Sequence, residues 1–198
     1  MSSPHNLINA INTLTSHHEI PTCGYIDSEE FLQQHHQFLD QEQKSNFSFF
    51  HLNIRSLNSN KDKLVLLLST LNDPFDVIAL SEIWSFNIDF YANLFPNHNF
   101  FFSLCETSKI GGIGFYVHKS YSVTILTPPV YNLSPLNCET LTLEVTRDNI
   151  ATVISGFYRH PVPSLTNFTQ FFEFLMLDFY KKFTGVDCLV FGDININL

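Results

Sequence analysis

The segment Phe75-Asp76-Val77-Ile78-Ala79-Leu80-Ser81-Glu82-Ile83-Trp84 decides more of the architecture than any other stretch of the chain. From Asp76 to Leu80 it is a short continuous apolar run after a single acid, with no polar alternation. Such a run predicts a strand covered on both faces. Glu82 comes just past that strand's C-terminal end and is the only acid after Asp76 in the segment. A buried strand thus carries one carboxylate to a sheet edge, and in α/β sheets sites gather at the carboxyl ends of strands.

Working outward, Ser48–Ile54 reads as a strand. From Lys61 to Asn72, Leu64, Leu67, Leu68 and Leu71 recur at the spacing of one helix face, and Asp73-Pro74 stops the helix because proline disfavours helical geometry before it. Downstream, Phe100–Phe102 and Gly114–Val117 read as strands with Gly111-Gly112 between them. Glu139–Val145 alternates strictly, which predicts a strand with one wet face. Ala151–Tyr158 is a further strand, ended by Arg159-His160-Pro161. Phe168, Phe171, Phe172, Leu175 and Phe179 predict a second helix, capped by Ser164 or Thr166. Last come Cys188–Phe191 and then Gly192-Asp193-Ile194-Asn195. Strands outnumber helices, so the pattern predicts an α+β fold of sheets packed on each other with helices outside, not a doubly wound single sheet.

Residues 1–45 are polar and weakly patterned, and they read as a leader outside the domain, with a short amphipathic helix near Ser28–Gln41; the domain proper is 46–198. The chain's 198 residues suit one domain with a large core, and its 21 Phe argue for a folded core rather than disorder. The net charge of −9 divides into −5 for residues 1–45 (six acids, Lys44) and −4 for the rest (13 acids, 9 bases). There is no basic stripe of the kind that marks a nucleic-acid footprint, while clustered carboxylates suit a bound cation. The four cysteines (Cys23, Cys105, Cys138, Cys188) form no C-x-x-C pair, and the N-terminus lacks a secretory pattern, so free thiols in a reducing, intracellular setting are expected. The sequons at Asn46, Asn132 and Asn167 then count as chance matches. Adjacent histidines at 17–18 and 35–36 have no Cys partner at zinc-finger spacing. No run approaches membrane-spanning length.

Three polar clusters stand at or after strand ends: Asn53, Glu82, and Asp193 with Asn195. A carboxylate there can hold a hard divalent cation, and amides can orient its ligands. Asp193 and Asn195, at i and i+2, are expected on one face. One of them would position or deprotonate a water and the other would donate to a phosphoryl oxygen. Tyr158, at the end of its strand, could offer a phenol to the same phosphate. Taken singly each has a plain structural reading: a turn former at Asp193, a loop hydrogen-bonder at Asn53, a solvated edge residue at Glu82 beside Trp84.

Taken in order, the motifs resemble the endonuclease/exonuclease/phosphatase superfamily, in its LINE-type (non-LTR) retrotransposon, apurinic-endonuclease-like branch. The resemblance rests on His51-Leu52-Asn53-Ile54-Arg55-Ser56-Leu57, Phe75–Trp84, Gly111-Gly112-Ile113-Gly114-Phe115-Tyr116, Tyr158-Arg159-His160-Pro161 and Phe191-Gly192-Asp193-Ile194-Asn195, which span roughly residues 46–198. Five ordered motifs are far more specific than one. The resemblance implies a four-layer α/β sandwich of two packed mixed β-sheets with outer helices. It also implies phosphodiester hydrolysis dependent on Mg²⁺ (or Mn²⁺), with Asn53 and Glu82 at the metal. Asp193 and Asn195 would activate the nucleophile and stabilise the transition state, and Tyr158 would contact the scissile phosphate. Arg55 stands where many relatives carry Asp or Asn, and with Arg159 it is expected to meet phosphate or DNA. Ile194 replaces a usual Phe. Nothing corresponds to the family's closing Ser-Asp-His segment, so the last strands and the catalytic His are expected to be missing, and His160 lies in the wrong motif to replace the latter. For the complete protein the implied function is nicking of nuclear target DNA to prime reverse transcription, with DNA as partner, a C-terminal reverse transcriptase domain and element RNA as partners in a full-length element, and no membrane. Two alternatives stay open: an inactive retrotransposon-derived fragment, and a superfamily phosphatase acting on a small or lipid phosphate.

Overall fold

The computed structural model describes residues 47–71, 75–85, 88–104, 110–127, 138–161, 165–193 and 195. Residues 48–198 form one compact unit. The leader and its helix near Ser28–Gln41 lie outside the described residues, as do Asp73-Pro74, Ser164, Ile194, Cys23 and Cys105.

In chain order the elements are β1 (Phe49–Asn53), α1 (Leu57–Leu71), β2 (Val77–Ser81), a 3-10 turn (Asp89–Tyr91), β3 (His98–Ser103), β4 (Ile113–His118), β5 (Ser122–Leu126), β6 (Cys138–Arg147), β7 (Ile150–Arg159), α2 (Leu165–Lys182) and β8 (Asp187–Asp193). They build two four-stranded sheets, ordered β1-β2-β4-β3 and β5-β6-β7-β8. Both sheets are mixed: β1 runs parallel to β2 and β8 parallel to β7, while the remaining pairs are antiparallel. The two helices flank the pair of sheets, so the α+β sandwich expected from the strand count is the one observed.

β2 is buried at all five positions, as its unbroken apolar run requires. Register then sorts the side chains, because residues paired across strands share a face. Phe49, His51 and Asn53 share a face with Val77, Ala79 and Ser81. In the second sheet, Thr152, Ile154, Gly156 and Tyr158 share a face with Asp187, Leu189, Phe191 and Asp193. The two faces meet through Phe191, whose ring lies 5.0 Å from Phe49, 4.8 Å from His51 and 5.3 Å from Phe115. Gly156 is what lets these rings in, since a Cβ there would stand 2.9 Å from Phe115 and 3.0 Å from Phe191. At the other end of the interface Arg147 donates to Asp76 at 3.0 Å, and the same carboxylate accepts from the backbone and hydroxyl of Ser48 at 2.8 and 3.0 Å.

Three details differ from the sequence reading. Helix α1 starts at Leu57 and buries Leu57, Leu64, Leu68 and Leu71, while Leu67 is 41% exposed. The heptad-like spacing of 57, 64, 68 and 71 makes a narrower stripe than the one read from Leu64 onward. The expected wet face of β6 is covered: Thr142 is buried and shares a 2.7 Å hydrogen bond with Ser155, beneath the packing of Val153 and Phe157 on Phe171, Leu175 and Phe179 of α2. A paired hydroxyl keeps the alternating pattern without needing water. Thr166 is already inside α2 and so does not cap it.

Candidate functional site

Asn53 ends β1, and its amide nitrogen donates to two carboxylates at once, Glu82 Oε1 at 3.0 Å and Asp193 Oδ2 at 2.9 Å. The first bond spans 29 residues and the second 140, so one amide ties the ends of strands from both sheets.

Glu82 is buried, not the solvated edge residue that its place beside Trp84 allowed, and its φ is +58°. A non-glycine residue held there costs about 1–3 kcal/mol and persists only where its surroundings over-determine it. They do so from both sides. Ile54, Ser56 and Leu57 donate backbone bonds to the carbonyls of Ser81, Glu82 and Ile83, and Ile83 and Trp84 donate to those of Gly112 and Gly111. Gly111 and Gly112 have φ +108° and +89°, which explains two glycines in succession at this turn. A Cβ on Gly111 would lie 2.7 Å from Glu139 Oε2 and 3.1 Å from the Tyr158 ring.

Glu139, Tyr158 and Asp193 are register partners on β6, β7 and β8, so they form one row across three strands. Burial first, then the charges of Glu82, Asp193 and Glu139, push the Tyr158 phenol up to about 12, with a hydrogen bond to the Asn195 side chain acting the other way. At neutral pH the phenol therefore keeps its proton and serves as a donor. Asp193 accepts from Asn53 on one oxygen and from the Asn195 backbone N–H (3.1 Å) on the other. Each oxygen keeps a lone pair with which to hold a water.

Two expected residues have other neighbours. Arg159 alternates with Tyr158, so it points away from the row; it is buried, lies over the Phe168 ring at 5.8 Å and donates to the Asn195 carbonyl at 2.9 Å. It is placed to hold the turn after β8, not to present a cation outward. Asn195 lies beyond the end of β8 with φ +44°, and its amide donates to the Arg159 carbonyl at 2.6 Å. The strand has ended before the i+2 geometry applies, yet the same side chain also reaches the Tyr158 phenol, in the row that ends at Asp193. Arg55 is exposed, with its guanidinium 4.0 Å from Glu82 Oε2.

Histidines were under-read in the sequence. His51 shares the inter-sheet face with Asn53, and its Nε2 lies 3.3 Å from Ser81 Oγ; burial lowers its pKa, against an opposing effect of Asp193. His160 Nε2 lies 2.7 Å from Glu139 Oε1, and its ring stands edge-on to Tyr158 at 5.0 Å. The strict alternation of β6 hinted that Glu139 faces inward, but only the β6–β7 register brings His160 to it.

A divalent cation fits this arrangement on chemical grounds. Among the described residues Glu82 Oε2 meets only the distant, exposed guanidinium of Arg55, which leaves a buried carboxylate oxygen for a hard cation. Among the described residues no group of three or more His, Cys, Asp or Glu is gathered closely enough to cage a metal. A site with one or two protein ligands suits Mg²⁺, which keeps several waters and takes substrate phosphate oxygens.

No family model and no curated protein matches the sequence. Solved structures do match the fold. Truncated TDP2 of Caenorhabditis elegans is similar with TM-score 0.56 at 15% identity, over 76% of this chain and 63% of that one. The endonuclease domain of TRAS1, a telomere-specific non-LTR retrotransposon, gives 0.54 at 11% identity, over 76% and 61%. An endonuclease/exonuclease/phosphatase family protein from Bacteroides thetaiotaomicron gives 0.53 at 9% identity, over 78% and 66%. The fold is the endonuclease/exonuclease/phosphatase fold. At these identities the likeness concerns the fold alone, and the chain spans under two thirds of the length of the first two. Within this fold the Asn53–Glu82–Asp193 cluster lies where β1, β2 and β8 end. No helix among the described residues is long and apolar enough to cross a membrane.

Proposed function

We propose that this chain carries a divalent-metal phosphodiesterase site that acts on DNA, of the kind retrotransposons use to nick a target strand. The observation that carries the reading is the single Asn53 amide bonded to both Glu82 and Asp193. The endonuclease domain of TRAS1, a retrotransposon protein of the same fold, favours this branch. The 3′-hydroxyl left by the nick would prime reverse transcription, with a reverse transcriptase domain and element RNA as partners in the nucleus.

In this reading Glu82 holds Mg²⁺ or Mn²⁺, with Asn53 keeping its carboxylate in place. The bound cation would neutralise charge developing on the phosphoryl oxygens. Asp193, with both oxygens already oriented by N–H donors, positions the attacking water and accepts its proton. Tyr158, protonated at neutral pH, donates to a non-bridging phosphate oxygen. Arg55, exposed beside Glu82, is placed to meet a neighbouring phosphate. Arg159 and Asn195 hold the Asp193 turn.

The test is nicking of supercoiled plasmid in Mg²⁺ by the wild type, Glu82→Ala and Asp193→Ala. Conversion to open circle by the wild type alone is expected. A wild type that leaves the plasmid supercoiled in both Mg²⁺ and Mn²⁺ overturns the proposal and leaves an inactive remnant.

A further inference from the structure

Glu139 and His160 have no part in the mechanism so far, yet both stand against it. Glu139 is 7% exposed, and its Oε2 has no hydrogen-bond partner among the described residues. Its other oxygen meets His160 Nε2 at 2.7 Å, with the two side chains 7% and 16% exposed. A buried carboxylate is costly unless paired, so a contact this short ties the imidazole firmly. His160 in turn sets its ring edge-on to Tyr158, 5.0 Å away and 85° inclined. Gly111 closes the other side, since even a Cβ there would stand 3.1 Å from the phenol ring. The Tyr158 ring is therefore confined between the glycine turn and an imidazole that a carboxylate holds.

We propose that Glu139 and His160 are positioning residues for Tyr158: Glu139 anchors the imidazole, and the imidazole fixes the phenol where it meets phosphate. The assignment rests on the phosphodiesterase reading for its use, though not for its geometry. It explains why a chain that places an acid on the inward face of β6 also places a histidine two residues after Tyr158.

The experiment combines a double-mutant cycle with ring dynamics. Plasmid nicking is measured for wild type, His160→Ala, His160→Gln, Glu139→Gln, Tyr158→Phe and the pair His160→Ala/Tyr158→Phe. A misplaced group costs up to roughly 100-fold, so His160→Ala is expected to lower kcat about 10- to 100-fold with little change in KM. Gln, whose amide can still donate to Glu139, restores most of it. The double variant is expected to be no slower than Tyr158→Phe, because the histidine acts only through that ring. Losses that multiply would overturn the proposal, as would full activity in His160→Ala. Independently of turnover, ¹³C-labelled tyrosine spectra, with Tyr158 assigned through Tyr158→Phe, report the ring. Faster ring flipping is expected in His160→Ala and Glu139→Gln, and an unchanged line shape in both would overturn the positioning role. If the wild type nicks nothing but the ring is released in the variants, the phosphodiesterase reading fails and the positioning stands.

Discussion

Asn53→Ala removes one amide and should disable the site while sparing the fold. The lost nitrogen lies 3.0 Å from one carboxylate oxygen and 2.9 Å from the other, which keeps those oxygens within about 6 Å of each other. At that distance two unit charges repel by about 0.7 kcal/mol in water and about 3 kcal/mol at an effective dielectric near 20. Glu82 is buried and Asp193 half-buried, so the true figure lies between these limits. Without the shared donor, Asp193, the more exposed of the two, swings away. A misorientation penalty of about 1–3 kcal/mol corresponds to a loss of roughly 5- to 150-fold in kcat. Gel-resolved nicking with kcat and KM taken separately measures it, and circular dichroism checks that the exposed position has not cost the fold. A variant within twofold of wild-type kcat, with its spectrum intact, would show that the bridging amide does not organise the site.

Other outcomes follow from the same contacts. Asp76→Ala strips the Arg147 guanidinium and two Ser48 donors of their acceptor; urea unfolding should show a loss of about 3 kcal/mol, and a change under 1 kcal/mol would contradict the inter-sheet tie. Gly111→Ala combines a φ of +108° with a 2.7 Å approach to Glu139, so both the melting temperature and nicking should fall, by about 1–3 kcal/mol in stability. His98 is buried against Phe95 and His118, and desolvation lowers its pKa below 6.5, against an opposing bond to the Phe75 carbonyl and a smaller opposing charge from Asp76. A depressed folded-state value means stability is full above the unfolded value and is lost as pH falls through the folded one. His98→Gln should therefore flatten the acid side of the stability curve below about pH 6.5, measured by melting temperature across pH.

What was legible in the sequence tracks how completely each element is buried. β2 announces itself because all five of its residues are covered, and α2 because its Phe stripe faces the core. β5 was not anticipated: it is an edge strand whose five residues include three exposed ones, so it carries no clear burial pattern. Asn53, Glu82 and Asp193 were nameable because each follows an apolar strand. Their convergence was implied by the family resemblance and not by any spacing along the chain, because it depends on how two sheets face each other across Phe191. Arg159 was expected to meet phosphate or DNA because a sequence shows a charge but not the turn that holds it. The pairing of Glu139 with His160 was not legible for a similar reason, since 21 residues separate them and only a hairpin register makes them neighbours.

The reach of the Asn53 amide also bears on how the protein is made. A bond closing 140 residues cannot form until nearly all of that chain has been synthesised and β8 has docked on β7. Long loop closures come late in folding, since the entropy of bringing distant segments together is lost before their contact rewards it. A nascent chain carrying only the first sheet thus holds an acid and an amide with no third partner. Whatever chemistry the finished centre performs is withheld until β8 has been made and has docked.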